Sequence, residues 1–321
     1  MKLATLFPRL WHAFSALLLP GKWQTQVNQP LLSETDIRAL FLRRHERHEV
    51  RSVKDQASQQ SGDRRSVYRG YGLDYEESRP YQPGDEPRYM NWRLSARTGS
   101  LQMKVFREER RPDVVILIDR RAAMRFGTRR RLKLTQALRV ATMIAAIMAK
   151  NEQASVSVLL MDETLRLQGP AVTRSAIVHL LAEAATMAPP FGSDTGQVSF
   201  GQALDFLQEK LVAGSSLYLL SDFIDLSPQH QPQLMALSSR FQLRAHCFYD
   251  PAERALPSAG RLIFSSPLAV GRSAVNTSSR KVQADYQAAA DRHYSRISSI
   301  FSALGLGCQM HSTLDEEIPL S

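Results

Sequence analysis

From residue 113 onward, short apolar runs alternate with longer segments that carry apolar side chains at helical spacing. Residues 114–118 are continuously apolar, which is typical of a strand buried on both faces of a parallel sheet. Residues 132–150 carry an apolar stripe of helical period and predict a long helix. By the same criteria, strands are predicted at 154–161, 164–167, 216–220, 243–248, 261–264 and 307–311, and helices at 173–187, 200–212, 232–239 and 282–303. The alternation predicts an α/β fold with a mostly parallel sheet and helices on both faces.

The first 66 residues do not follow this alternation. Ser33 is predicted to cap a helix over residues 34–49, because Asp36 stands three positions later, as in a capping box. Residues 54–65 are polar and are predicted to be a linker. We therefore expect a helical N-terminal extension ahead of the folded body.

No stretch of the chain predicts a membrane span. The best apolar run, residues 10–21, is shorter than the roughly 20 residues that a spanning helix needs. A signal peptide is not expected, because Arg9 interrupts the apolar start. Residues 3–19 have apolar side chains at helical spacing, which indicates either a helix docked on the protein itself or a short helix on a membrane surface. We expect a cytoplasmic protein, with weak peripheral association at the inner membrane as the alternative.

Residues 67–112 are dense in aromatic and arginine side chains. Pro83-Gly84-Asp85 predicts a tight turn, and residues 101–106 alternate as a strand does. One interpretation is a nucleic-acid surface, since base stacking and phosphate contacts need rings and arginines. The other is a small β-rich subdomain whose arginines pair with acids and stack on rings, and the evenly mixed acids favour it. We accordingly expect Trp92 to be a buried anchor against the main sheet, and Tyr71, Tyr81 and Tyr89 to be packed within the segment.

The composition is that of a globular protein with a basic surface. Of 321 residues, 43% are hydrophobic and 22% are charged, so disorder is not expected. The formal net charge is +10, which favours an acidic partner. Basic residues are densest after the first strand of the alternation, where they form either a solvated loop face or an electrostatic docking surface. The candidate partner-binding residues are Arg120, Arg125, Arg129, Arg130 and Arg131.

Enzyme signatures are missing from the chain. It has no phosphate-binding P-loop and no nucleophile elbow. The two cysteines, Cys247 and Cys308, lack zinc-ligand spacing, which fits buried structural thiols in a reducing compartment. Asp119 and Asp222 each follow a predicted buried strand, the position at which sites form in such folds. We expect no catalytic residue, cofactor or bound metal.

Residues 79–92 read RPYQPGDEPRYMNW. This stretch resembles the signature of the bacterial family known as domain of unknown function 58, roughly R-x-Y-x-P-G-D-x-x-R-x-I-D-W. The resemblance continues through Leu220-Ser221-Asp222-Phe223 and Asp250-Pro251-Ala252-Glu253 and ends near Asp315. The signature residues in this chain are Arg79, Tyr81, Pro83, Gly84, Asp85, Arg88, Trp92, Ser95, Ala96 and Arg97.

The resemblance implies a von Willebrand factor A-like (Rossmann-like) fold with an upstream β-rich segment. The implied division is an N-terminal extension and linker over 1–66, the signature segment over 67–112, and the von Willebrand factor A-like domain over 113–315.

Domains of that kind often hold a divalent cation through a D-x-S-x-S loop, a threonine and a second aspartate. Here the loop reads Asp119-Arg120-Arg121-Ala122-Ala123, so Arg121 and Ala123 stand where the serines would be. Ser199 and Thr195 are the candidates for the threonine position, and Asp222 remains. The resemblance therefore implies a degenerate metal-ion-dependent adhesion site, in which an arginine pairs with Asp119 or Asp222 in place of the cation.

Proteins of this family are typically encoded beside MoxR-type AAA+ ATPases, with which they are thought to act. The resemblance thus implies a non-enzymatic adaptor between such an ATPase and a client protein complex. Two alternatives stay open. One is a nucleic-acid-binding protein that uses the basic strip over 120–133 and the aromatic segment. The other, least favoured, is a divalent-metal-dependent hydrolase at Asp119 and Asp222.

Overall fold

The computed structural model describes residues 31–42, 74–107, 113–151, 154–186, 198–266 and 269–318. These residues fall into two compact units. The larger unit contains residues 31–42 and everything described from residue 113 onward, and the smaller unit contains residues 74–107. The predicted linker over 54–65 and the apolar segment over 3–19 lie outside the described residues.

The larger unit contains most of the helices and strands. In chain order, the helices of the protein are α1 (34–42), α2 (Trp92–Thr98), α3 (Lys133–Asn151), α4 (Arg174–Ala184), α5 (Phe200–Lys210), α6 (Gln231–Arg240), α7 (Pro251–Arg254) and α8 (Arg280–Ser302). The strands are β1 (Asp74–Pro80), β2 (Gln102–Arg107), β3 (Asp113–Asp119), β4 (Ser155–Met161), β5 (Leu165–Ala171), β6 (Ser216–Ser221), β7 (Gln242–Tyr249), β8 (Arg261–Ser266), β9 (Ala269–Asn276) and β10 (Cys308–Ser312).

Six strands form the central sheet in the order β5-β4-β3-β6-β7-β10. All neighbours are parallel except β5, which pairs antiparallel with β4 at one edge. Numbered along this sheet alone, the order is 3-2-1-4-5-6, that of a doubly wound fold. The predicted fold class, an α/β fold with a mostly parallel sheet and helices on both faces, is confirmed.

Side chains alternate between the two faces of the sheet, and each face is covered by helices. In β3, Val114, Ile116 and Ile118 pack with α1, α3 and α4, whereas Val115 and Leu117 pack with α5, α6 and α8. Both clusters consist of apolar side chains that are almost fully buried. Burial on both faces is why these strands are continuous apolar runs in the sequence.

The capping box predicted at the start of α1 is present. The Asp36 backbone N donates to Ser33 Oγ at 3.1 Å, and the Ser33 backbone N donates to Asp36 Oδ2 at 3.3 Å. Ile37 and Phe41 are the buried face of this helix. The predicted extension of the helix to residue 49 lies outside the described residues.

Strand β9 and helix α2 are among the elements that were not predicted. Residues 269–276 form β9, which pairs antiparallel with β8 in a separate two-stranded sheet rather than in the main one. Helix α2 begins at Trp92 because the Asn91 side chain accepts a hydrogen bond from Leu94 N, and it ends at Gly99 in the left-handed region. Among the described residues, no helix is long and apolar enough to cross a membrane.

The smaller unit is a β-hairpin that encloses α2. Strands β1 and β2 pair antiparallel. Gly84 has φ +103°, and Asp85 N donates to Gln82 O at 3.0 Å, which confirms the predicted turn. Arg79 donates to both carboxylate oxygens of Asp85, at 2.8 and 2.6 Å. The signature residues Arg79, Gly84 and Asp85 therefore stabilise the turn within this segment.

The prediction that Trp92 is a buried anchor is wrong. Its side chain is 65% exposed, on the outer face of α2. Tyr81 and Tyr89 are half-buried, and Tyr71 lies outside the described residues. The ring of Tyr89 is covered by the Arg88 guanidinium, 4.7 Å from the ring centroid.

Candidate functional site

The carboxyl ends of β3 and β6 meet at the point where the strand order reverses, the usual place for a site in a doubly wound sheet. Asp119 is the last residue of β3, and Asp222 directly follows β6. Both side chains are buried, with 0% and 1% exposure. The predicted position of these two residues at the strand ends is therefore correct. Because both carboxylates are buried, their charges have to be balanced by side chains inside the protein.

Arg121 neutralises the first of these aspartates. Its Nε and Nη2 atoms donate to the two Asp119 oxygens at 3.0 and 2.8 Å. The same guanidinium donates to both oxygens of Asp225, at 2.7 and 2.9 Å. Ser221 Oγ adds a hydrogen bond to Asp119 Oδ2 at 2.6 Å. A planar guanidinium suits this bridge, because its fork can engage two carboxylates at once.

Lys133 neutralises the second aspartate. It is the first residue of α3, and its side chain is fully buried. Its Nζ atom donates to Asp222 Oδ2 at 2.8 Å and to Glu253 Oε1 at 2.7 Å. The backbone N of Ile224 donates to the other Asp222 oxygen at 3.2 Å. Asp222 is therefore held by a cation from one side and by its own loop from the other.

Asp250 is a third buried carboxylate at this edge of the sheet, directly after β7. It accepts hydrogen bonds from the backbone and hydroxyl of Thr128, from Ala252 N and from the Thr313 hydroxyl, at distances between 2.6 and 3.0 Å. Its own backbone N donates to Glu253 Oε2 at 2.9 Å, which joins this carboxylate to the Lys133 network. The loops after β3, β7 and β10 are thereby tied together.

The backbone after Asp222 is strained. Phe223 has φ +52°, the only positive φ of a non-glycine residue in the described part of the chain. A conformation of this kind costs about 1–3 kcal/mol and persists only where the surroundings enforce it. Here the Phe223 ring packs edge-on against Phe200 and Phe301, and its backbone N donates to Ser221 Oγ at 2.9 Å. The strained residue directly follows Asp222, whose carboxylate accepts the hydrogen bond from Lys133.

The protonation of these groups reflects burial and pairing. Burial raises the pKa of Asp119, and the guanidinium of Arg121 opposes that rise. Burial would lower the pKa of Lys133, but the two adjacent carboxylates raise it above its usual value, so the ammonium stays charged. Burial raises the pKa of Glu253 to about 7, although Lys133 acts in the opposite direction. For Asp225, burial acts to raise the pKa, but the hydrogen bonds and charge of Arg121, together with backbone donors such as Phe200 N, lower it.

The donor set does not fit a divalent cation. Magnesium needs several free oxygen ligands in octahedral geometry. The oxygens of Asp119 and Asp222 already accept from Arg121, Ser221, Lys133 and Ile224. Among the described residues, no group of three or more histidine, cysteine or acidic side chains is placed to hold a metal ion. The predicted pairing of an arginine with Asp119 is present, and Lys133 provides a second cation that was not predicted as one.

The remaining positions of the degenerate site have other roles. Ser199 caps α5 in a capping box with Gln202, so its hydroxyl is engaged there. Ala123 lies in the short turn after Arg121 and offers no oxygen side chain. Thr195 lies outside the described residues.

We predict that the protein binds neither magnesium nor calcium stoichiometrically at micromolar concentration, because the guanidinium of Arg121 already pairs with the carboxylates of Asp119 and Asp225. Isothermal titration calorimetry with each cation is the measurement. The matched variant is Arg121→Ser with Ala123→Ser, which restores both hydroxyls and frees Asp119. We expect this variant to bind magnesium at least about tenfold more tightly than the parent, a difference of about 1.4 kcal/mol. A saturable magnesium site in the parent would contradict the prediction.

The basic strip is only partly available to a partner. Arg120 is buried and donates to the Thr186 carbonyl at 2.8 Å, so its inclusion as a partner-binding residue needs correction. Arg125 is half-buried and donates to the Arg120 carbonyl. Arg131 is half-buried and donates to the Asp315 carbonyl at 2.7 Å. Arg129 and Arg130 are exposed, and Arg130 pairs with Glu316. The exposed basic surface at this edge therefore centres on these two residues.

Sequence reasoning missed Lys133, Glu253 and Asp250 as members of the site. Lys133 was grouped with the surface strip because a lysine is rarely buried. Asp250 and Glu253 carried a readable signal, since an aspartate directly after a buried strand and a glutamate three residues later indicate a capping box at a strand end. The partner of Glu253 lies 120 residues away in sequence, and no local pattern indicates it.

A family model described as "Protein of unknown function DUF58" matches residues 77–296. Uncharacterized proteins of Mycobacterium tuberculosis and Mycobacterium bovis are each 27% identical over 203 residues. The match covers 63% of this chain and 63% of each relative, so the chain spans less than two thirds of their length.

Two solved structures are similar to the chain. The conserved hypothetical protein BatB from Bacteroides thetaiotaomicron is 13% identical with a TM-score of 0.38, over 60% of this chain and 98% of that one. An aerotolerance-related membrane protein from Bacteroides fragilis is 12% identical with a TM-score of 0.37, over 59% and 99%.

Proposed function

This chain belongs to the DUF58 family, and we propose that it acts there as a non-enzymatic protein-interaction adaptor. The observation that carries the proposal is the closed charge network at the strand ends. Asp119, Asp222 and Glu253 are at most 3% exposed, and each accepts from a buried cation of the chain itself. A catalytic acid or base must reach its substrate, and none of these three carboxylates reaches the surface.

The same network supports a role in binding. It fixes the loops after β3, β6 and β7, because Arg121, Lys133 and Asp250 tie them to one another. A surface that is already ordered costs less conformational entropy when a partner binds. The exposed arginines beside these loops, Arg129 and Arg130, would attract an acidic partner over a distance.

The partner that we propose is a MoxR-type AAA+ ATPase together with a client protein complex, on the strength of the family resemblance. With such a partner, the protein would act in the cytoplasm. Residues 3–19 would add peripheral association with the inner membrane. Assembly or maturation of the client complex would then depend on ATP hydrolysis by the partner.

The test is direct binding to a purified MoxR-type ATPase from the same organism, measured by biolayer interferometry. Arg129→Glu with Arg130→Glu should weaken binding by at least about tenfold, the effect of losing roughly 1.4 kcal/mol. The charge-matched control is Lys210→Glu with Arg240→Glu, because these residues end α5 and α6, which lead into the opposite edge of the sheet. Equal binding by the parent and the Arg129/Arg130 variant, or no binding by the parent, would refute this docking model.

The nucleic-acid alternative makes a different prediction. Stacking on a single strand needs several exposed rings, each worth about 1–3 kcal/mol per base. Tyr81 and Tyr89 are half-buried, so we expect binding of single-stranded and duplex oligonucleotides no tighter than about 10⁻⁶ M at physiological salt, the range of phosphate attraction alone. Fluorescence anisotropy measures this. Nanomolar binding that disappears in folded Tyr81→Ala or Tyr89→Ala would favour the alternative over the adaptor.

A further inference from the structure

The outer face of α2 carries exposed apolar and basic side chains that are not needed for packing within the smaller unit. Successive helical residues are about 100° apart, so positions 92, 93, 96 and 97 share one side of the helix. All four side chains are exposed, whereas Ser95 is buried and Leu94 is half-buried on the other side. The outer face therefore consists of Trp92 and Ala96 next to Arg93 and Arg97.

Trp92 is the largest of these side chains, and its 65% exposure is higher than that of any other aromatic residue in the described part of the chain. An exposed indole leaves a large apolar area in water, and tryptophan and arginine are the residues that most often anchor protein interfaces. The ring is not needed to hold α2, because Asn91 and Gly99 cap the helix and Ser95 bonds it to Gln102.

The charged side chains of α2 are all of one sign. Arg93, Arg97 and Lys104 are exposed, and no described carboxylate lies within ion-pair distance of them. Arg79 and Asp85 neutralise each other, and Glu86 is paired with Arg88. The outer face of α2 is therefore cationic beside an exposed indole.

We propose that this outer face of α2 is a docking surface for an acidic protein segment that carries an apolar side chain. The apolar side chain would pack on Trp92 and Ala96, and the acidic residues would pair with Arg93 and Arg97. A single strand of nucleic acid is disfavoured as the occupant, because it needs a series of rings and only Trp92 is largely exposed among the aromatic side chains of residues 78–104. This surface belongs to the smaller unit, whereas the strand-end network and Arg129 and Arg130 belong to the larger unit.

The test uses a full-length variant in which Trp92 is the only tryptophan, made by Trp11→Phe and Trp23→Phe. The probe is a glutamate-rich peptide of about a dozen residues with one central leucine, comparable in length to a recognised linear segment. The matched probe has alanine in place of leucine. We expect a saturable blue shift of Trp92 fluorescence with the leucine peptide, and at least about threefold weaker binding of the alanine peptide.

A labelled leucine peptide in fluorescence anisotropy gives the second readout. Trp92→Ser and Arg93→Glu with Arg97→Glu should each weaken binding at least about tenfold. Met235→Ser is the control, since Met235 is 64% exposed on the other unit, and it should bind as the parent does. Circular dichroism should show unchanged folding in all these variants, because the altered side chains are exposed.

Three results would overturn the proposal. The first is emission of a buried indole in the unliganded single-tryptophan protein, which would mean that the chain itself covers Trp92. The second is the absence of saturable peptide binding in the parent. The third is an oligothymidylate that binds more tightly than the peptide and is released by Trp92→Ser, which would assign the face to nucleic acid.

Discussion

Replacing Lys133 with methionine should lower the free energy of unfolding by about 3–5 kcal/mol, the range for breaking a buried ion pair by removing one partner. The substitution keeps most of the aliphatic volume but removes the ammonium that Asp222 and Glu253 share. Both carboxylates are almost fully buried and would be left without their cation. Equilibrium denaturation in urea measures the loss, with the midpoint and the slope reported separately.

A rescue variant separates the stability lost through unpaired charge from the stability lost through altered packing. Lys133→Met combined with Asp222→Asn and Glu253→Gln removes the uncompensated carboxylates and should recover part of the lost stability. Lys210→Met, at a half-exposed lysine, should change stability by no more than about 0.5 kcal/mol. A loss below about 1 kcal/mol in Lys133→Met would contradict the view that Lys133 is the structural cation of this site.

Much of the fold could be predicted because a strand that is buried on both faces of the sheet is continuously apolar in the sequence. The strands that end at Asp119 and Ser221 are unbroken apolar runs, and α3 and α8 have clear helical stripes. Strand β9 was missed because its residues, AVGRSAVN, are only partly apolar and its pairing with β8 lies outside the main sheet. Its existence depends on a partner strand rather than on its own pattern.

The site was predictable only in part, for a different reason. The position of Asp119 and Asp222 follows from strand ends, and Arg121 and Ala123 stand where the D-x-S-x-S loop implied by the resemblance would have its serines. The pairing of Lys133 with Asp222 and Glu253 cannot be predicted, because a lysine in a basic stretch is expected to be solvated until the fold buries it. Helix α2 could have been predicted, because Asn91 and Gly99 are residues that typically cap a helix. It was missed because the interpretation of this segment rested on its many aromatic residues.

Acid should destabilise the protein through a buried histidine pair on β7 and β10. His246 Nδ1 and His311 Nε2 are 2.9 Å apart, and the two rings stack on each other and on Tyr218 and Phe248. Burial lowers the pKa of His246 to about 3, with His311 and Arg244 adding repulsion, and burial lowers the pKa of His311 to about 4. Both rings are therefore neutral in the folded protein at ordinary pH.

The sign of the effect follows from linkage. An unfolded histidine takes up a proton below its usual pKa of about 6.5, whereas these two do not until pH 3–4, so the unfolded state binds more protons in between. The stability that the pair provides is complete above about pH 6.5 and declines as the pH falls. At pH 5 the loss is about 2 kcal/mol per histidine, from about 1.4 kcal/mol for each unit between 6.5 and 5.

Glu253 acts in the opposite direction over part of this range, so the pH profile of the parent alone is not decisive. Its pKa is raised to about 7, and a carboxyl that takes up its proton more readily when folded adds stability as the pH falls. The comparison that isolates the histidines is the parent against His246→Phe with His311→Phe, in which apolar rings replace both hydrogen-bonding partners. The stability difference between the two proteins should shift in favour of the variant by about 3–4 kcal/mol between pH 7 and pH 5, as measured by urea denaturation at each pH. Parallel pH profiles of the two proteins would show that neither histidine has a lowered pKa in the folded state, which would contradict the prediction.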